Sequence, residues 1–192
     1  MPRRVNSDIF DTLDRMRDDI RRLNLGSPQI IVLGDQGVGK STTLNRSFGY
    51  YILPRSRGLC TLCAIRVQFC RGEDFLCSIE VRTREDSKVV EGTPVEVKER
   101  DFDNISSKVH EMMVEKVSPD GKIVKDKEIV VTIESEGDPC LDYLDLPGLS
   151  NPDGLELARD VLTKEYDKSI ILLVVQAENN GISNSAAAGL IE

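Results

Sequence analysis

The segment Gly34-Asp35-Gln36-Gly37-Val38-Gly39-Lys40-Ser41 fits GxxxxGK[ST] without a gap, and it constrains the chain more than any other feature. The apolar run QIIVLG leads into it and TTLNRSFG leaves it, so a buried strand before and a helix after are expected. Gly34 and Gly39 permit backbone angles that turn consecutive N–H groups inward. Those groups and the helix N-terminus form a cradle for phosphates. The expected phosphate contacts are Asp35, Gln36, Gly37, Val38, Gly39, Lys40, Ser41 and Thr42. Lys40 brings a point charge to the β- and γ-phosphates, and the Ser41 hydroxyl is a ligand for Mg²⁺. A glycine-rich turn without a ligand is the competing reading, and the strand–loop–helix context argues against it.

Two further signals lie downstream. Asp145-Leu146-Pro147-Gly148 closes the strand pattern CLDYLD. A carboxylate at a strand end beside a phosphate loop can hold magnesium through water, and Gly148 can bring an N–H to the γ-phosphate. Thr61 sits in the loop between the first helix and the second strand, where GTPases place a threonine on the metal and the attacking water. Alone, each would be an ordinary turn residue.

The rest of the chain alternates. Residues 8–24 carry Ile9, Leu13, Met16, Ile20 and Leu23 at helical spacing, with Ser7 as N-cap. Residues 50–60 read as a loop. LCAIRVQF, DFLCSIEVRT, EIVVTIES and CLDYLD read as strands, and SIILLVVQA as a buried strand. FDNISSKVHEMMVEKV and GLELARDVLTKEYDK read as helices, SNSAAAGLIE begins another, and 84–100 gives weak signals. The expected organisation is a helix over 1–26 and an α/β domain over 27–192, a three-layer P-loop NTPase fold with a mixed central sheet, incomplete at one edge.

Composition removes other classes. The 192 residues carry a formal net charge of -8, so DNA, RNA and anionic lipid repel the chain as a whole. The arginines near the N-terminus read as a solvated helix face. No apolar run approaches the ~20 residues of a membrane helix, and no signal core follows the basic start, so a cytoplasmic location is expected. Five cysteines without a secretory signal read as reduced thiols. Cys60 and Cys63 form a CxxC, but one histidine, His110, leaves a closed four-ligand zinc site hard to assemble.

With these residues in hand, GDQGVGKSTTLNRSFGYYILPRSRGLCTLCAIRVQF resembles the opening of a dynamin-superfamily GTPase domain, whose pattern is GxQSxGKS, a helix, then LPRGxGxxTR. Leu53-Pro54-Arg55, Gly58 and Thr61 fall at the matching positions, and the CTLC version is nearest to Mx-like and other cytosolic members. DLPGL matches DLPG[IL], and LLVVQAENNGISNSAAAG is similar to the strand-and-loop segment that follows. The resemblance implies GTP and GDP as ligands. It implies Gln36 and Thr61 as the catalytic pair, Gln36 positioning the water and Thr61 holding it with Mg²⁺. Ser41 and Asp145 complete the metal set, Gly148 senses the γ-phosphate, and Arg55 belongs to the first switch. It further implies a bound K⁺ or Na⁺ in place of an arginine finger, self-association of the domain, and membrane or microtubule contact linked to membrane remodelling, with the protein peripheral to membranes.

The chain departs from that pattern. Gly37 stands where the cation-binding serine is expected, and Ser56 where the first switch has glycine. The guanine-reading TKxD is expected beyond residue 192, and Thr163-Lys164-Glu165 precedes a strand and is not that motif. The resemblance therefore leads us to expect a GTPase with slow turnover. A nucleotide-binding module or fragment without turnover is the alternative. A P-loop ATPase or small-molecule kinase is a third reading, opposed by Thr61 and DLPG.

Overall fold

The computed structural model describes residues 29–54, 61–136, 141–176 and 190. Seven strands form one sheet: β1 (Gln29–Leu33), β2 (Ala64–Arg71), β3 (Leu76–Thr83), β4 (Val95–Val97), β5 (Lys127–Ser135), β6 (Asp142–Asp145) and β7 (Ser169–Leu173). Their order is β4-β3-β5-β2-β6-β1-β7. β1 runs parallel to both neighbours, β6 and β7, so the strand that feeds the phosphate loop lies inside the sheet. β2 is antiparallel to β6 and parallel to β5, and β3 is antiparallel to β4 and β5. The sheet is therefore mixed, as the sequence leads one to expect.

Among the described residues three α-helices cover its faces: α1 (Lys40–Phe48), α2 (Phe102–Met112) and α3 (Pro152–Glu165). The side-chain period of two in β1 sorts its residues between two cores. Val32 packs with Leu44 of α1 and Ile105 and Val109 of α2, with Ile30 against the same cluster. Ile31 and Leu33 pack with Leu157, Ala158 and Val161 of α3. The α1 and α2 stripes thus meet one face of the sheet and the α3 stripe the other, and β1 is clamped from both sides.

Several details differ from the sequence reading. The run from Ser169 was expected to be a buried strand. Among the described residues β7 is instead an edge strand, with Ile170 62% and Leu172 37% exposed. A continuous apolar run does not reveal whether both of its faces are covered. The weak segment 84–100 yields the short β4. The helix from Phe102 continues as a π-helical turn over Met113–Val117. α3 starts two residues earlier than expected, with Asn151 accepting from Asp153 N and Pro152 in the first turn. The helix expected over 8–24, and all but Leu190 of the one expected from 183 onward, lie outside the described residues.

Candidate phosphate and metal site

The site forms where β1 and β6 end side by side, since Val32 pairs with Asp145. β1 delivers the chain into the loop 34–39, and α1 begins at Lys40. Gly39, at φ 92°, is its N-cap and no side chain caps the helix, so the first-turn N–H groups face the loop. Lys40 is buried, and its Nζ donates to the Gly34 and Asp35 carbonyls at 3.0 Å each. The ammonium is thereby held back over its own loop, within Coulombic reach of Asp145. Val38 and Thr42 are half-buried along the same loop and first turn, while Gln36 and Gly37 are exposed.

Asp145 is the focus of the arrangement. It is 1% exposed, and its Oδ2 accepts the Ser41 hydroxyl at 2.8 Å and the Thr61 hydroxyl at 3.3 Å. Its Oδ1 is buried and has no partner among the described residues. Burial raises the carboxyl above the usual range, against the opposing pull of Lys40, Ser41 and Thr61. A buried carboxylate with an unsatisfied oxygen is unfavourable in isolation. Two hydroxyls and one carboxylate form a set of hard oxygens, and that chemistry suits Mg²⁺. The three metal candidates from the sequence thus meet at one carboxylate.

The DLPG turn lies directly on the phosphate loop. A Cβ built on Gly148 would stand 2.6–2.7 Å from the Cα, Cβ and N of Gln36, so only glycine fits there. Leu149 N donates to the Gly34 carbonyl at 3.2 Å. Gly37 has φ 79°, a left-handed conformation that a side chain enters with strain, although the space beside it is open. Its glycine therefore has a backbone reason as well as a missing hydroxyl. Arg55 and Ser56 lie outside the described residues.

Sequence reasoning missed three supports. Asn45, on the inner face of α1, is 1% exposed. Its side chain accepts from Ile52 N and Leu53 N and donates to the Leu53 carbonyl, each at 2.9 Å. It braces the chain that leads toward Thr61, and its only signal was an amide one residue after a core leucine. Ser150 bonds to the phosphate loop, and Gly154 backs the DLPG turn, where a Cβ would stand 2.4 Å from the Gly148 carbonyl oxygen. The TKE at 163–165 lies at the end of α3, where Glu165 binds Arg66 at the opposite end of β1.

The chain matches the Dynamin family over residues 30–192. It is similar to dynamin-related protein 4C of Arabidopsis thaliana, 28% identical over 179 residues that cover 88% of this chain and 25% of that protein. It is 30% identical to the interferon-induced GTP-binding protein MxB of Danio rerio over 144 residues, 73% of this chain and 21% of the relative. Against the dynamin-1-like protein of Danio rerio the identity is 29% over 200 residues, 94% and 26% of the two lengths. The chain thus spans about a quarter of the length of these relatives. The family match covers the phosphate loop, the Asp145 carboxylate and the glycine turn laid upon it, and on that match the chain belongs to the dynamin family.

Proposed function

We propose that this chain binds GTP with Mg²⁺ and hydrolyses it slowly to GDP and phosphate. The observation that carries this reading is the convergence of the Ser41 and Thr61 hydroxyls on Asp145, whose second oxygen is buried and without a partner among the described residues. Ser41, Thr61 and Asp145 would hold the metal, which would neutralise negative charge on the phosphates. Lys40 brings its ammonium to the same phosphates, and the loop and first turn from Asp35 to Thr42 form the cradle, the Gln36 N–H itself being turned to Ser150 Oγ. Gln36 and Thr61 orient the attacking water, and Gly148 presents its N–H to the γ-phosphate. Gly37 leaves a K⁺ or Na⁺ to be held by backbone carbonyls alone. Loss of one such stabilising contact slows turnover by about 10²–10³.

The same Gly37 favours the second reading, a module that binds nucleotide without turnover. Family membership supports self-association and service at membranes in remodelling as further proposals. Among the described residues no helix is long and apolar enough to cross a membrane. A cytoplasmic, membrane-peripheral location remains part of the proposal.

Fluorescent GTP titration tests the reading. Lys40→Ala is expected to abolish binding, and Ser41→Asn to abolish its Mg²⁺ dependence. GTP is expected to compete and ATP not. Unchanged affinity in both variants, or equal competition by ATP, would defeat the assignment. Single-turnover hydrolysis separates slow catalysis from binding alone.

A further inference from the structure

Ser150 lies outside the DLPG motif, yet its hydroxyl is aimed back at the phosphate loop. Its Oγ accepts the Gln36 N–H at 3.3 Å and donates to Asp35 Oδ1 at 3.2 Å. The turn that carries Ser150 closes without this side chain. Asn151 N donates to the Gly148 carbonyl at 3.2 Å, and Asn151 itself caps α3. The hydroxyl is therefore not needed for the turn or for the helix cap.

Three contacts register one segment on the other. Leu149 N reaches the Gly34 carbonyl, Gly148 presses against the Gln36 backbone, and Ser150 ties down the Gln36 N–H. Gly154 closes the stack from behind, where a Cβ would run into the Gly148 carbonyl. The peptide that sets the direction of the Gln36 side chain is thus fixed by a hydroxyl from another segment. That hydroxyl is in turn oriented by the Asp35 carboxylate, which accepts its proton and leaves its lone pairs for the amide.

We infer that Ser150 is a positioning residue for hydrolysis. Its hydroxyl, oriented by Asp35, fixes the Gln36 backbone so that the glutamine amide meets the attacking water. The inference rests on the GTPase reading above, and within it Ser150 touches neither nucleotide nor water. A misplacement of the order of 1 Å at a water-orienting group can slow a reaction about 10²-fold, and loss of one of the three contacts should cost less than that.

The test compares Ser150→Ala and Ser150→Thr with the unaltered chain. Fluorescent GTP and GDP affinities are measured first, then single-turnover GTP hydrolysis at saturating Mg²⁺, then hydrogen exchange at the Gln36 amide without nucleotide. Ser150→Ala should bind both nucleotides within about twofold of the unaltered chain and hydrolyse GTP about tenfold more slowly, with faster Gln36 exchange. Ser150→Thr, which keeps the hydroxyl, should restore both rate and protection. A Ser150→Ala rate within twofold of the unaltered chain overturns the inference and leaves the GTPase reading standing. So does a Ser150→Thr rate as low as that of Ser150→Ala, and so does a chain that binds GTP and turns none over. A chain that binds neither nucleotide defeats the GTPase reading itself, and the inference with it.

Discussion

Beside Gln29, where β1 begins, the Arg66 guanidinium is a half-buried cation answered by two carboxylates and an amide. Its side chain is 17% exposed and contacts Glu128 at 3.3 Å and Glu165 at 3.4 Å, and it donates to Gln29, which also reaches Glu165 and Ser169. Where β1 ends, Asp145 is a buried carboxyl group with one oxygen bonded to Ser41 and Thr61 and the other without a partner among the described residues. Both ends desolvate charge, which is unfavourable unless it is compensated. At the Arg66 end the chain supplies the compensation itself, and the carboxylates hold the guanidinium in its charged form, against burial. At the Asp145 end the compensation is left incomplete. A finished network reads as scaffold, and an unfinished one as a place for a ligand.

The largest expected effect breaks the finished end. Arg66→Ala leaves Glu128 and Glu165 without their cation and should destabilise the fold by about 3–5 kcal/mol in urea unfolding. The Mg²⁺ dependence of nucleotide binding at the opposite end should persist in the fraction that remains folded. A loss below about 1 kcal/mol would mean that the network is no more than a surface pair.

The unfinished end depends on close packing rather than on completed charge. Gly148→Ala drives a Cβ into the Gln36 backbone. It should weaken fluorescent GTP about tenfold more than GDP, because the turn must shift away from the γ-phosphate position. Equal weakening of both nucleotides would place Gly148 in the scaffold. The smallest effect calibrates the pair. Asp160 is held below the usual carboxylate range by Lys164, with Arg84 helping against partial burial. A depressed folded value contributes stability above the unfolded value, and that stability is lost as pH falls through the folded value. Asp160→Asn should therefore cost under about 1 kcal/mol at pH 7 in urea unfolding, and progressively less as pH falls through the folded value.

The residues that meet at the Asp145 end were singled out in the sequence. Lys40, Ser41, Thr61 and Asp145 have signatures of fixed spacing, and the structure brings all four together. The Arg66 end was not legible. Gln29, Arg66, Glu128 and Glu165 come from four elements and share no spacing, so only the sheet order places them side by side. The same holds for Ser150, which meets Asp35 across 115 positions of sequence. Strand existence was read well from apolar alternation, but the exposure of β7 was not. An apolar run reports composition, while exposure depends on what the neighbouring segment covers.

Mg²⁺-dependent binding of fluorescent GTP, in the unaltered chain and in Asp145→Asn, tests the unfinished site most directly. Mg²⁺ should tighten binding by roughly tenfold or more in the unaltered chain and by less than about twofold in Asp145→Asn. The variant should unfold within about 1 kcal/mol of the unaltered chain, because a neutral amide relieves the cost of burying the carboxylate. The same Mg²⁺ dependence in both proteins would contradict the assignment of Asp145 as the metal carboxylate.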